Sequence, residues 1–115
     1  MSGMLVVTTE AVPGYEIRAV IGEVLGVTAK TVNAYAEKIR SPITGAGNPN
    51  LLGLLASVRR EAVDRMCEAA RLNGGNAVIG MRFDHRGVTS AWNEVCAYGT
   101  AVLVASATQQ EIAAA

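Results

Sequence analysis

Apolar and polar residues alternate with a period of two in three parts of the chain, the spacing of a β-strand with one buried face. The segment "MLVVTT" (Met4–Thr9) is short and β-rich, and the turn at Pro13 and Gly14 follows it. From Glu16 the segment "EIRAVIGEVLGVTA" predicts a second strand. We expect one face to carry Ile17, Ala19, Ile21 and Leu25, and the other to carry Arg18, Val20, Gly22, Val24 and Gly26. Two glycines on one face indicate that another backbone or a large side chain packs closely there.

Two segments have helical spacing instead. Thr28–Arg40 places an apolar stripe on one side and is predicted to be a helix that ends before Pro42. After a Gly- and Pro-rich loop, a longer helix is predicted from Pro49 to Leu72. Its core stripe is expected to contain Leu51, Leu55, Val58, Ala62, Met66 and Ala69.

The "NGG" at Asn73–Gly75 predicts the end of this helix, because glycine adopts the left-handed conformation without a Cβ clash. Alternation over 76–85 and 91–106, around a polar turn, predicts an antiparallel hairpin. The fold class is therefore α+β, an antiparallel sheet with two helices on one face. We expect one domain over residues 1–106 and a tail over 107–115 that frays or forms a short helix.

Composition limits the classes of partner. Ten basic and ten acidic side chains among 115 residues leave no excess positive charge for nucleic acid or an anionic membrane. Only 17% of residues are charged, below the roughly 25% of a typical soluble domain, so we expect self-association to hide apolar surface. Neither a membrane span nor a signal peptide is evident, which favours the cytoplasm and two reduced, buried thiols, Cys67 and Cys96.

The side chains that carry chemistry are few. His85 is the one histidine, and its neighbour Asp84 is expected on the opposite face of the strand, so we predict no catalytic residue. A hydrolase that combines His85 with Asp84 or Cys96 is the least favoured reading. The cysteines and the histidine have no metal-binding spacing, and we predict no metal ligand and no cofactor.

Glu94 alternates with Trp92, Cys96 and Tyr98 on one face of a mostly apolar strand. A carboxylate in that setting needs a partner, and Arg82 or Arg18 on other strands could supply one. A structural ion pair, or an edge position facing solvent, is the plainer interpretation. The alternative is a small-molecule or metal site near Arg82, Glu94 and Cys96.

The second half of the chain resembles a known family. "NGGNAVIGMRFDH" followed by "EVCAYGTAVLV" is similar to the closing hairpin of the YbjQ-like family, which carries a heavy-metal-binding label, and "VVTTE" and "REAVDRMCEAARLNGGNAV" match its pattern in order. The resemblance covers roughly the whole chain. It implies a small α+β subunit that assembles into a ring, a homopentamer, through sheet and helix contacts. It implies no settled activity, and no ligand residue is transferred from it.

The start of the long helix departs from that resemblance. Ser41–Val58 contains no charged residue, and its leucines cover more of the helix than one core face needs. We predict an assembly interface there, formed by Leu51, Leu52, Gly53, Leu54, Leu55, Ala56 and Ser57. The expected function is a non-enzymatic ring-forming subunit. This interface, natural or engineered, would join it to another ring or to a second protein component of a cage.

Overall fold

The computed structural model describes residues 4–31, 49–87 and 92–107 of the chain. Those residues form four strands and one helix. The elements in chain order are β1 (Leu5–Val6), β2 (Tyr15–Thr31), α1 (Pro49–Leu72), β3 (Ala77–Gly87) and β4 (Trp92–Ser106).

The strands form a single sheet in the order β1-β3-β4-β2. β3 and β4 are antiparallel, which confirms the predicted hairpin, and β2 pairs antiparallel with the other side of β4. β1 is parallel to β3, with Leu5 opposite Ala77, so the prediction of a wholly antiparallel sheet is wrong. The chain reaches β3 from β1 through β2 and the helix, and a crossover of that length permits a parallel pairing.

Helix α1 begins and ends where the sequence predicts. It stops at Leu72 because Gly74 has a φ of 92°, and the Gly75 N–H then donates to the Ala70 carbonyl at 2.9 Å. Asn76 next joins the chain to β4: its amide nitrogen Nδ2 donates to the Val104 carbonyl at 2.9 Å, and its Oδ1 accepts from the Val104 N–H at 2.8 Å. This turn brings β3 back alongside the sheet.

One face of the sheet is covered by α1, and we call it the inner face. Its core contains Val58, Ala62 and Met66 from the helix, packed against Val24 on β2 and Ala97 on β4. Leu54 is partly buried against the same core, so the buried stripe is centred on Leu54, Val58, Ala62 and Met66. Of the predicted stripe, Val58, Ala62 and Met66 are confirmed as core residues, and Ala69 is partly buried against the same core. Leu55 is partly buried, and the Leu51 side chain lies outside the described residues.

Gly26 explains why the helix lies so close to β2. A Cβ atom at Gly26 would collide with the main chain of α1 at Ala62 and Met66. The prediction that a glycine on β2 admits another backbone is therefore confirmed at this position.

The second predicted helix is wrong at its start, because Thr28–Thr31 continue β2. The Thr28 side chain is buried, on the same inner face as Val24, and this burial outweighs the helical spacing that begins there. Residues 32–40, the remainder of that prediction, lie outside the described residues, as does the predicted tail after Ala107.

Irregular pairing changes which face several side chains occupy. β2 has register shifts between Ile17 and Ala19 and between Val20 and Gly22, each with one extra residue on β2. Val20 is thereby separated from Val24 and lies on the opposite face, whereas the sequence predicts one shared face. A third shift, at Gly80 with its φ of 62°, reverses the alternation of β3 in the same way.

No helix in the described part of the chain has the length and apolarity needed to cross a membrane.

Candidate functional site

The face of the sheet that α1 does not cover, the outer face, carries the most unusual surface. Residues directly opposite each other in an antiparallel pair point to the same face. Leu25 is opposite Tyr98, Val27 is opposite Cys96 and Val20 is opposite Val102, so all of these side chains lie on the outer face. The inner-face residues Val24, Gly26 and Thr28 alternate with them.

We define the outer-face patch as six exposed apolar or aromatic side chains: Tyr15, Ile17, Val20, Leu25, Val27 and Tyr98. Val20 is 68% exposed and Leu25 is 51% exposed. Beside the patch, Ala77, Val102 and Val104 form a second buried cluster on the same face, with Leu5 and Ile79 packed against it. The outer face is therefore apolar like the inner face, but it is buried only in this cluster and exposed at the patch.

Such a surface is uncommon on a monomer. Isolated apolar residues on a surface are ordinary, but adjacent ones on neighbouring strands are typical of an interface. The five patch residues on β2 alternate or nearly alternate along that strand, and Tyr98 lies across from Leu25 on β4. Glu23, opposite Thr100 on the same face, lies between Val20 and Leu25, so the patch has one exposed carboxylate within it.

A polar cluster lies farther along the outer face, near the end of β3 and the start of β4. Asp84 is opposite Cys96, and Arg86 is opposite Glu94. The Arg86 Nε atom is 3.8 Å from Glu94 Oε1, an ion pair of partly exposed groups. Glu94 therefore has a partner, as predicted, but that partner is Arg86 on the adjacent strand.

The two arginines that the sequence proposed for Glu94 are engaged elsewhere. Arg82 donates through Nη1 to the Thr8 carbonyl at 2.9 Å and to the Met81 carbonyl at 2.8 Å. Arg18 lies 3.4 Å from Glu16. Cross-strand pairing determines which arginine pairs with Glu94, because Arg86 is directly opposite Glu94 and Arg82 is opposite Tyr98. Thus Glu94 and Cys96 share a face with Arg82, but Arg82 does not complete a pocket with them.

Both cysteines are free and buried in the structure, which confirms the prediction for them. Burial raises the pKa of the Cys96 thiol, and the carboxylates of Glu94 and Asp84 raise it further, against the opposing effect of Arg86. Burial also raises the pKa of Cys67, with Asp64 acting in the same direction. Both sulfurs are therefore protonated at neutral pH, the form that is neither a good nucleophile nor a metal ligand.

The arrangement does not fit a metal ion held by one chain. Among the residues that the structure describes, no three His, Cys, Asp or Glu side chains are placed to share an ion. The Cys96 thiol is disfavoured as a thiolate, and a guanidinium stands beside the nearby carboxylate of Glu94. The Thr28 hydroxyl, a buried oxygen with no hydrogen-bond partner among the described residues, lies on the inner face and adds no donor to this cluster.

The strand register also separates the residues that a hydrolase, the least favoured interpretation, would combine. His85 is opposite Val95 on the inner face, whereas Asp84 and Cys96 are opposite each other on the outer face. The sheet lies between the imidazole and these two groups. They therefore form no nucleophile and base pair.

At the predicted interface on the start of α1, Gly53, Ala56 and Ser57 are exposed, and the Ser57 hydroxyl donates to the Leu54 carbonyl at 2.9 Å. Leu55 is partly buried, and Leu54 is partly buried against the core. The side chains of Leu51 and Leu52 lie outside the described residues. Among the described side chains of this segment, the exposed ones are small.

The outer-face patch was not predicted as a surface. Its signal is present in the sequence, because both faces of the β2 segment are apolar and one helix can cover only one of them. The bulges concealed it, since strict alternation puts Val20 with Val24 and Ile21 with Leu25. The pattern that would have identified it is a strand with apolar residues on both faces, in a chain with too few helices to cover both faces of the sheet.

Comparison with known proteins agrees with the fold and the resemblance. The model of the YbjQ family, described as "Putative heavy-metal-binding", matches residues 4–105. A UPF0145 protein of Streptomyces avermitilis is 40% identical over 114 residues, which cover 92% of this chain and 89% of the relative. A UPF0145 protein of Halobacterium salinarum is 41% identical over 102 residues, covering 86% of this chain and 97% of the relative.

A solved structure supports the architecture alone. It is a protein of unknown function from the DUF74 family of Pediococcus pentosaceus, similar with a TM-score of 0.59 and 19% identity over 90% of this chain and 100% of that one. None of these comparisons indicates an engineered interface, and the family description names no enzymatic activity. The chain belongs to the YbjQ family, UPF0145.

Proposed function

We propose that this protein is a non-enzymatic subunit of a homo-oligomeric ring, in which the outer-face patch is buried between copies. The observation that carries the proposal is the exposed apolar group of Leu25, Val27 and Tyr98 on a sheet face that the helix does not cover. Val20 lies on the same face, beyond Glu23. The neutral net charge presents no repulsion between copies.

The low charge of the chain favours a second copy as the partner, because only 17% of its residues are charged and self-association would hide apolar surface. A stable interface buries roughly 800 Å² on each partner. Each large patch side chain that becomes buried contributes about 1.5–3 kcal/mol before the cost of association is subtracted. Six such residues are sufficient for a stable contact.

A substitution on the central strand tests the proposal. Tyr98→Glu places a carboxylate in the outer-face patch, and we expect the dissociation constant of the assembly to rise at least about tenfold, since about 1.4 kcal/mol is lost for each factor of ten. Sedimentation velocity at several concentrations measures the change. Leu72→Glu is the matched control, because Leu72 is 70% exposed at the end of α1, away from the patch, and should leave the assembly unchanged.

Circular dichroism on each variant separates loss of assembly from loss of fold. A wild-type protein that sediments as a monomer at micromolar concentration contradicts the proposal. So does a Tyr98→Glu variant that is folded and assembles as well as the Leu72→Glu variant.

The start of α1 is proposed to make a further contact, between rings or with a second protein component, through its exposed small residues Gly53, Ala56 and Ser57. Small side chains let another helix approach closely. Ala56→Glu should then remove any particle larger than the ring and leave the ring itself intact in light scattering. An unchanged distribution of larger particles would rule this contact out.

A further inference from the structure

The end of β3 is left uncovered by α1 on the inner face of the sheet. Phe83 is opposite Ala97 and His85 is opposite Val95, so all four side chains lie on the inner face. Ala97 and Val95 are buried in the core beneath α1, whereas Phe83 and His85 are exposed. The helix therefore lies over β2 and β4 and does not extend over this part of β3.

Arg59 borders this uncovered part of β3 from the helix side. Its guanidinium carbon lies 5.2 Å from the centre of the Phe83 ring, within the range of a cation–π contact. We call the space bordered by Arg59, Phe83 and His85 the inner-face groove. The ring attracts the positive charge of Arg59, but it supplies no oxygen to accept hydrogen bonds from the guanidinium.

Arg59 differs from most of the arginines that the structure describes. Five others are paired with a protein oxygen in that part of the chain: Arg18, Arg65, Arg71, Arg82 and Arg86. Arg59 has no carboxylate or carbonyl partner among the described residues, and its contact is the Phe83 ring. It is thus a cation that is held in position while its hydrogen-bond donors are available.

His85 adds a second donor to the inner-face groove. Phe83 and His85 are two residues apart on one face, about 7 Å along the strand, so the imidazole lies beside the ring that holds Arg59. An imidazole carries at least one N–H donor in either protonation state. The carboxylates of Asp84 and Glu94 lie on the outer face, on the other side of the sheet. The described side chains that border the groove therefore give it a positive charge.

We propose that the inner-face groove binds a small organic acid, with the carboxylate held by Arg59 and His85 and the apolar body against Phe83. A guanidinium presents its N–H groups as a planar fork that matches the two oxygens of a carboxylate. One arginine balances the single negative charge of a carboxylate, whereas phosphate groups are typically bound by clusters of arginines. Phe83 is 36% exposed and supplies the apolar contact. The groove is on the opposite face from the outer-face patch and does not rely on the association of copies.

A titration of the whole protein with benzoate, followed by NMR, tests the site. We expect the backbone amide signals of Phe83 and His85 to shift progressively and to give a dissociation constant below about 10 mM. Benzamide has nearly the same shape as benzoate and carries no charge. It should bind at least about tenfold more weakly, because it cannot pair with the guanidinium.

Two neighbouring arginines provide a matched pair of variants. Arg59→Gln keeps a polar helix-forming residue and removes the charge, so it should raise the dissociation constant for benzoate at least about tenfold. Arg60 is also exposed, but the Phe83 ring is contacted by Arg59. Arg60→Gln should therefore change the constant by less than about twofold. Circular dichroism and sedimentation velocity check that both variants keep the fold and the association state of the wild type.

His85→Ala gives a second measurement at an exposed position of β3. Loss of one hydrogen-bond donor should raise the dissociation constant for benzoate by about threefold to tenfold. An unchanged constant in this variant would contradict the role of His85 in holding the carboxylate.

A selective loss of benzoate binding in Arg59→Gln, with wild-type affinity in Arg60→Gln, supports the proposal. The absence of any signal change up to about 10 mM benzoate overturns it. Equal binding of benzoate by the two arginine variants, or equal binding of benzoate and benzamide by the wild type, also overturns it, since the charge of Arg59 would then not hold the ligand. Signal changes confined to residues outside the inner-face groove overturn it as well.

Discussion

Single residues set the spacing between helix and sheet. At Gly26 the main chain of α1 occupies the space that a side chain would need, and at Gly53 nothing lies within 4 Å of the corresponding position. The sequence predicts the close approach on β2, because Gly22 and Gly26 share a predicted face. It does not predict which of the two glycines is in contact, since that depends on where the bulges fall.

These two glycines provide a matched pair of substitutions. Gly26→Ala should lower the free energy of unfolding by several kcal/mol, because the new methyl group collides with a backbone that cannot move alone. Gly53→Ala, in an open position of the helix, should raise it by about 0.5–1 kcal/mol. Chemical denaturation measures both, and a Gly26→Ala protein as stable as the wild type would show that α1 is not seated on β2.

The two thiols give a pH-dependent prediction at the same scale. The folded protein raises the pKa of both Cys67 and Cys96, so folding favours the protonated thiols. Their contribution to stability is fully present below the ordinary thiol pKa and is lost as pH rises from there through the raised folded value. Alkylation of the folded protein near neutral pH should be slow and should accelerate in denaturant. Equal alkylation rates for the folded and unfolded protein would contradict the account.

At the scale of elements, the sequence predicts α1 and the hairpin well because their signals are local. Helical spacing over several turns fixes α1, the "NGG" fixes its end, and alternation fixes β4. The extension of β2 through Thr31 depends instead on pairing with Trp92–Val95, residues far away in the chain. Long-range pairing can override local spacing, and for this reason the start of the second predicted helix is wrong.

The junction between α1 and β3 offers a test at this scale. Asn76→Ala removes two hydrogen bonds to the Val104 backbone from a partly buried position and should cost about 1–3 kcal/mol of unfolding free energy. Asn73→Ala removes one exposed bond to the Ala69 carbonyl and should cost under about 1 kcal/mol. Thermal unfolding compares them, and equal effects would show that Asn76 does not hold the two strands together.

At the scale of the whole molecule, low charge and high apolar content indicate that surface must be hidden, but they do not say where. The sequence directs attention to the start of α1, and the structure adds the outer face of the sheet, with Leu25 and Tyr98 exposed across from each other. Of the candidate ligand residues Arg82, Glu94 and Cys96, alternation along β4 places Glu94 and Cys96 on one face, whereas the face of Arg82 depends on the pairing of β3 with β4. Their actual partners could not be predicted, because those depend on the cross-strand register.

The central claim is that copies of this chain associate through the outer-face patch of the sheet. Native mass spectrometry of the wild-type protein at micromolar concentration tests it most directly, because the mass gives the number of subunits. The account predicts a closed multiple of the 12.0 kDa chain, five copies being the number that the family resemblance implies. A spectrum that contains only the 12.0 kDa monomer would contradict it.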